Sequence, residues 1–162
     1  MAASAAAAAR MALITTGCLL AGGSALSAEL PGRSVTMVLQ TQHRFDVLRE
    51  RLEKFIKNNK MGLDAEASAS RGAAARGIRI PGNAVVMVFR NDYAVRMLDA
   101  SVPAGIEAPL RFYLTEQGDG TTTLTYQLPS AVFAPYASKA LNEMALELDV
   151  IFRKIAAETV RE

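Results

Sequence analysis

The tripeptide Arg90-Asn91-Asp92 stands out as a candidate for chemistry because of where it lies along the chain. It follows directly after the apolar run 84–89 (AVVMVF), which predicts a central strand with both faces covered. The end of a central strand is a usual place for a loop that faces a ligand. We therefore predict that Arg90, Asn91, Asp92 and also Arg111 bind a ligand, although helix capping by Asp92 would explain part of the triplet.

A second group of candidates is a pair of carboxylates. Asp64 and Glu66 share one face if residues 61–67 are extended, and they would then act together on a metal or a sugar. No further partner for them is evident in the sequence. A hydrolase or isomerase that uses Arg90 or Arg111 with Asp64, Glu66 or Asp92 is the enzymatic alternative.

The sequence lacks the motifs of common catalytic and cofactor sites. His43 is the only histidine, so neither a pair of histidine ligands nor a triad with a second histidine exists. The patterns H-E-x-x-H, G-x-x-x-x-G-K-[ST] and G-x-G-x-x-G are absent, and the triplet 118–120 (GDG) is explained by turn geometry. We therefore predict no catalytic residues, no metal ligands and no cofactor.

The elements that must position these residues follow from hydrophobic periodicity. Alternation in residues 34–40 predicts a strand with one buried face, and Thr41 is placed to cap the next helix. Residues 43–59 carry an apolar stripe at three- and four-residue steps, which predicts an amphipathic helix. A second strand is predicted over 61–67. The segment 68–77 that follows it is rich in small residues, and a short helix followed by a turn is expected there.

The second half of the chain predicts a hairpin and a long helix. Two alternating runs flank the Gly-Asp-Gly turn, so residues 110–128 predict a β-hairpin, in which the run of threonines is expected to be exposed. After Pro135 an apolar stripe continues over four turns and predicts the C-terminal helix. A short helix after Asp92 is expected to place Tyr93 and Met97 on one face.

The N-terminal segment has the pattern of a secretory signal. Arg10 precedes an apolar run over 11–21, which is too short to span a membrane, and small residues follow it. We predict a signal peptide over 1–27 and a single α+β domain over 28–162, which places the protein in the periplasm or outside the cell. Lipidation of Cys18 and a retained membrane anchor are the alternatives to simple cleavage.

Composition limits the classes of partner. Lys plus Arg number 18 against 16 acidic residues, and cleavage would remove one arginine and no acid, leaving a net charge of +1. A domain this close to neutral has no broad electrostatic reason to bind nucleic acid, because phosphate contacts need clustered cations, so nucleic acid is not a predicted partner. Cleavage would also remove Cys18, the only cysteine, and with it thiol chemistry and disulfides. Contact with a membrane is expected only through the signal during export.

Segments of the chain between Ala84 and Tyr136 together resemble a bacterial family, the domain of unknown function 302. The segments that carry the resemblance are an apolar strand ending at 89–92 (FRND), the stretch 105–111 (GIEAPLR), the turn 119–120 (DG) and the end of the hairpin at 126–129 (YQLP). Arg90 and Asp92 stand where the family often has Gly and Pro. The resemblance implies a β-α-β(4)-α arrangement, with helices on one face of an antiparallel sheet and often a homodimer. It implies no known reaction.

These observations favour a module that binds a small ligand or another protein in the cleft between sheet and helices. The enzyme described above remains one alternative. The other is a structural homodimer that associates through the hairpin edge or the final helix.

Overall fold

A computed structural model describes residues 35–162, which form one antiparallel sheet with helices. The strand order is β1-β5-β4-β3-β2, and every neighbouring pair is antiparallel. This arrangement confirms the predicted α+β class. The predicted signal peptide and Cys18 lie outside the described residues. The strands are β1 (Thr36–Thr41), β2 (Gly62–Ala67), β3 (Asn83–Phe89), β4 (Leu110–Glu116) and β5 (Thr122–Gln127).

The helices follow the order expected for β-α-β(4)-α, with short helices added between strands. Within the described part of the chain no helix combines the length and the apolar character needed to cross a membrane. Two 3-10 turns, Val102–Glu107 and Ala134–Tyr136, complete the elements. The helices are α1 (Phe45–Asn58), α2 (Ala69–Ala74), α3 (Asn91–Ala100), α4 (Pro129–Phe133) and α5 (Lys139–Val160).

The core lies between the inner face of the sheet and helices α1, α3, α4 and α5. Its centre is an aromatic cluster in which the Phe112 ring stacks on Phe152, with ring centroids 4.7 Å apart, and contacts Tyr126 at 5.2 Å. The apolar stripe predicted for α1 is confirmed, because Leu48, Leu52 and Ile56 are fully buried. Four-residue spacing therefore sets which side of each helix meets the sheet.

The prediction that β3 is covered on both faces is wrong for residues 35–162. Only Ala84, Val86 and Val88 are buried, while Val85 and Met87 on the opposite face are half-buried. The large helices all pack on the face that carries Ala84, Val86 and Val88. The apolar run therefore reflects β-branched strand propensity as well as burial.

The hairpin of β4 and β5 is confirmed, with Gly120 at φ +83° in the turn. One alternative from the sequence was a homodimer that associates through the edge of this hairpin. In the sheet, however, β4 and β5 are each paired on both sides. The hairpin therefore has no free edge through which two copies could associate. Two of the threonines expected to be exposed, Thr122 and Thr123, are buried.

The ends of α1 are set by the backbone, and the expected cap by Thr41 is wrong. The Thr41 hydroxyl donates to the Thr122 carbonyl (2.8 Å) and so joins β1 to β5. At the C-terminus of α1 the N–H groups of Lys60 and Met61 donate to the carbonyls of Lys57 and Ile56 in the last turn. This is a Schellman motif, and it requires a left-handed residue, which here is Lys60 at φ +58°.

A buried carboxylate on α5 holds α4 in place. The N–H and the hydroxyl of Ser130 both donate to the Asp149 carboxylate, at 2.9 and 2.7 Å. The Asp149 side chain is only 3% exposed, and the Arg153 guanidinium approaches it at 3.7 Å. Asp149 thus supplies the N-terminal cap that α4, which begins at a proline, lacks in its own sequence.

Candidate functional site

An apolar cleft lies between the C-terminal end of β3, helix α3 and helix α5. It is the place where the sheet and three helices meet, and its lining is almost entirely apolar. The lining residues are Met61, Val88, Phe89, Arg90, Tyr93, Ala94, Met97, Ala108, Leu110, Phe133, Met144 and Leu148.

Helical spacing places the walls of this cleft. Tyr93 and Met97 share one face of α3, as predicted, and both are buried. Met144 and Leu148 lie four residues apart on α5 and face them. Phe133 forms part of the remaining wall. It belongs to α4, whose start is held by the hydrogen bonds from Ser130 to Asp149.

Three methionines share this cleft. Met61, Met97 and Met144 are each at most 5% exposed, although Met61 directly precedes β2 and the other two belong to helices α3 and α5. The free volume between the walls is about 30 Å³, which is enough for water-sized molecules only. Methionine side chains are unbranched and polarisable, so walls built from them adapt their shape to what they contact.

The mouth of the cleft carries a tyrosine between two arginines. The guanidinium carbon of Arg90 lies 4.2 Å from the centre of the Tyr93 ring, and that of Arg96 lies 5.2 Å from it. Both distances are within the range of cation–π attraction. Tyr93 therefore presents an apolar body to the cleft and is held at the mouth by charge.

Both arginines are paired with carboxylates. Arg90 donates to both oxygens of Asp92 (2.7 and 2.9 Å), and Arg96 donates to both oxygens of Glu147 (2.8 and 2.7 Å). The Tyr93 hydroxyl also donates to Glu147 at 3.3 Å. These hydrogen bonds lower the pKa of both carboxyls, chiefly through the arginine that each one contacts. The cluster is thus neutral overall and ties α3 to α5.

The four predicted ligand-binding residues do not form one group. Arg90 lines the cleft, Asp92 holds its guanidinium, and Asn91 is exposed at the start of α3. Asp92 does not cap α3, since Arg90 occupies the N-cap position. Arg111 is exposed between the buried Leu110 and Phe112, so it lies on the opposite face of the sheet. Alternation along β4 separates it from the others.

The carboxylates of the enzymatic alternative are also dispersed. A bulge between Leu63 and Ala65 interrupts the alternation on which the pairing of Asp64 with Glu66 depended. Glu66 turns towards α1, where it pairs with Arg49 at 3.2 Å and also contacts Arg71. Asp64 stays exposed at the bulge.

The remaining titratable candidate, His43, has a structural contact. Its Nε2 hydrogen-bonds the carbonyl of Arg161 at 3.0 Å and ties the start of α1 to the end of the chain. Among residues 35–162 no three His, Cys, Asp or Glu side chains come together as metal ligands would.

Sequence reasoning missed Arg96 and Glu147, and it did not indicate that three methionines meet in one cleft. Arg96 and Glu147 are separated by 51 residues, and each by itself looks like an exposed charge on a helix. The one available signal was the spacing of Tyr93 and Met97, which placed both side chains on one face of α3.

Comparison with known proteins gives a family and a fold. Residues 37–159 match the family described as Domain of unknown function DUF302. A search of curated protein sequences finds no significant match. Among solved structures, the chain is similar to an uncharacterized conserved protein DUF302 from Bacillus stearothermophilus, with 19% sequence identity and a TM-score of 0.66. The alignment covers 78% of this chain and 98% of that one.

Proposed function

The chain belongs to the DUF302 family, and we propose that this member is an exported module that binds a small apolar or aromatic molecule in the cleft between α3, α5 and the sheet. The observation that carries the proposal is the cleft itself. It places an apolar lining beside a polar, ordered mouth, which is the general composition of small-molecule sites.

Binding requires the cleft to widen, since about 30 Å³ does not hold a metabolite. The side chains that must move are those at the mouth and the flexible methionines. Tyr93 is held by contacts to Arg90, Arg96 and Glu147, and these three side chains are exposed or half-exposed. Contacts of this kind reform readily with water, so exchanging them for a ligand costs little.

The lining also limits the class of ligand. A charged molecule would lose its hydration among methionine, leucine and valine side chains without gaining partners. An apolar or aromatic body fits that lining, and sulfur–aromatic contacts with Met97 and Met144 would favour an aromatic one. A polar group on such a ligand would lie at the mouth, beside Arg90 and Tyr93.

The decisive experiment fills the cleft with protein. Ala94 lines it from α3, so Ala94→Phe places a ring in the space that a ligand would use. Val95→Phe is the matched control, because Val95 is the next residue on the same helix and is 53% exposed. The purified protein and both variants are screened by thermal unfolding against a panel of apolar and aromatic compounds.

We expect at least one compound to stabilise the wild-type protein and the Val95→Phe variant but not Ala94→Phe. At a concentration about 100-fold above Kd, binding contributes about 2.7 kcal/mol, which corresponds to a midpoint shift of roughly 10 °C. The proposal fails if no compound shifts the midpoint, or if Ala94→Phe responds as the wild type does.

Export is tested separately. Mass spectrometry of the protein recovered from its host should find a mature N-terminus at Ala28, following cleavage after Ser27. An N-terminus at Met1, or a lipid on Cys18, would contradict simple cleavage.

A further inference from the structure

The lining of the cleft carries charge at one place only. Among the residues that line it, Arg90 is the sole lysine, arginine, aspartate or glutamate. Its counter-ion, Asp92, is not part of the lining, and the Asp92 side chain is 61% exposed while that of Arg90 is 28% exposed. A molecule that enters the cleft therefore meets a guanidinium, whereas the compensating carboxylate is in contact with solvent.

The pairing with Asp92 uses only part of the Arg90 guanidinium. A guanidinium has five N–H donors, and these form two planar forks that match the oxygens of a carboxylate. Arg90 donates from Nε and Nη2 to the two oxygens of Asp92 (2.7 and 2.9 Å). Within residues 35–162 its Nη1 donates to no protein acceptor, and Nη2 keeps a second N–H. The fork formed by Nη1 and Nη2 is thus able to hold a second carboxylate while Asp92 stays bound.

The other arginine at the mouth is occupied. Arg96 donates from both Nη1 and Nη2 to Glu147, and it does not line the cleft. The Arg90 guanidinium carbon, to which Nη1 is bonded, lies 4.2 Å from the centre of the Tyr93 ring. Stacking on this ring limits the orientations of the guanidinium and keeps its free fork at the mouth.

We propose that the ligand of this cleft is a small monocarboxylate with an apolar or aromatic body. Its carboxylate accepts two hydrogen bonds from Nη1 and Nη2 of Arg90, and its body lies among the apolar side chains that include Met97 and Met144. This inference rests on the proposed function and names the class of ligand within it.

The charge at the mouth distinguishes a carboxylate from other polar groups. A cation would be repelled by Arg90, and a neutral amide would accept hydrogen bonds from it without the added attraction of a charge. A phosphate monoester carries about two negative charges and would lie close to Asp92, so it would meet more repulsion than a carboxylate does. The expected order of affinity is carboxylate, then amide, then ammonium.

Calorimetric titration of the purified protein with matched probes tests this order. Phenylacetate, phenylacetamide and phenethylamine share an aromatic body, and hexanoate and hexanamide share an alkyl body. In at least one of the two series the carboxylate should bind about tenfold or more tightly than its amide, because hydrogen bonds between two charged partners are the stronger ones.

Substitutions at the mouth should change the carboxylate and the amide differently. Arg90→Gln should weaken the carboxylate to the level of the amide, and Arg90→Lys should restore part of the difference because it keeps the charge without the fork. Asp92→Asn should strengthen the carboxylate a few-fold and leave the amide unchanged, since it removes a competing negative charge. Arg111→Gln is the matched control on the opposite face of the sheet, and it should change neither. Thermal unfolding of each variant verifies that it is folded.

Methionine methyl signals in NMR spectra locate the body of the probe. The signals of Met97 and Met144 should shift as the carboxylate is added. Met87 lies on the other face of the sheet, so its signal should stay in place. Ala94→Phe, which fills the cleft, should abolish both the binding and the shifts.

Each other outcome overturns this inference in a recognisable way. If the carboxylates and the amides bind equally and Ala94→Phe blocks both, the inference fails while the proposed function stands. If a carboxylate still binds to Ala94→Phe, Arg90 holds anions outside the cleft, and the inference fails again. If neither carboxylate binds to the wild type, the inference is wrong, and the proposed function then depends on the wider panel of apolar and aromatic compounds.

Discussion

Replacing Asp149 by alanine should destabilise the protein through helix α4. The carboxylate accepts two hydrogen bonds from Ser130 in a site where its own side chain is 3% exposed. Its loss leaves the Ser130 N–H without a protein partner at the start of α4, as the loss of a helix cap does. Because Phe133 of α4 packs in the core and lines the cleft, the wall it forms would loosen as well.

The magnitude follows from the two hydrogen bonds. A hydrogen bond to a charged acceptor contributes about 1.5–3 kcal/mol, and a helix cap about 0.5–2 kcal/mol. Removing the buried charge regains part of its desolvation cost, and the Ser130 hydroxyl is able to rotate towards solvent. We therefore expect Asp149→Ala to lower the free energy of unfolding by about 2–3 kcal/mol, or the thermal midpoint by roughly 10 °C.

Urea denaturation measures this change, with Glu143→Ala as the control on an exposed position of the same helix. Ser130→Ala should cost less than Asp149→Ala because it keeps the backbone N–H that the carboxylate caps, and the double variant should cost less than the sum of the two. If Asp149→Ala lowers the free energy of unfolding by less than about 0.5 kcal/mol, or if its effect is strictly additive with that of Ser130→Ala, the two hydrogen bonds do not hold α4 in place.

Three further changes test other features of the structure by their effect on the free energy of unfolding. Lys60→Gly should raise it by about 0.5–1 kcal/mol, since glycine adopts φ +58° without strain; a decrease would contradict the Schellman motif. Gly82→Ala should lower it by about 1–3 kcal/mol, because the new Cβ would lie 2.7 Å from the Phe45 ring; no loss would mean that the ring moves freely. Arg96 lowers the pKa of Glu147 from its ordinary value of 4.5, so the stability that this pair adds is present above pH 4.5 and is lost as pH falls through the lowered pKa. Glu147→Gln should therefore flatten the acid side of the stability curve, and curves of equal slope would contradict the tie between α3 and α5.

Local pattern accounts for the elements that the sequence predicted correctly. The helix over 43–59 and the hairpin around Gly120 follow from periodicity and turn chemistry, which act within a few residues. The resemblance to the domain 302 family supplied the order of elements that joins them. The same local reasoning placed Tyr93 and Met97 on one face of a helix.

The candidate site was predicted only in part, because its residues meet across long separations in sequence. The position of Arg90 after a strand identified one side of the cleft. No residue near it in sequence indicated that Met144 and Glu147 of α5 would form the other side. Arg111 was grouped with Arg90 although alternation along β4 sends it to the other face of the sheet. Alternation within a single strand is enough to correct that grouping.

The sequence by itself determined the strands, the hairpin and helices α1, α3 and α5 of this protein, since each depends on periods of two or 3.6 residues that can be read locally. Only the tertiary structure decided that β1 and β2 are the edges, that a bulge separates Asp64 from Glu66, and that the paired charges of α3 and α5 close an apolar cleft. The physical reason is that strand order and contacts between helices minimise exposed apolar surface over the whole chain. No short segment contains that information.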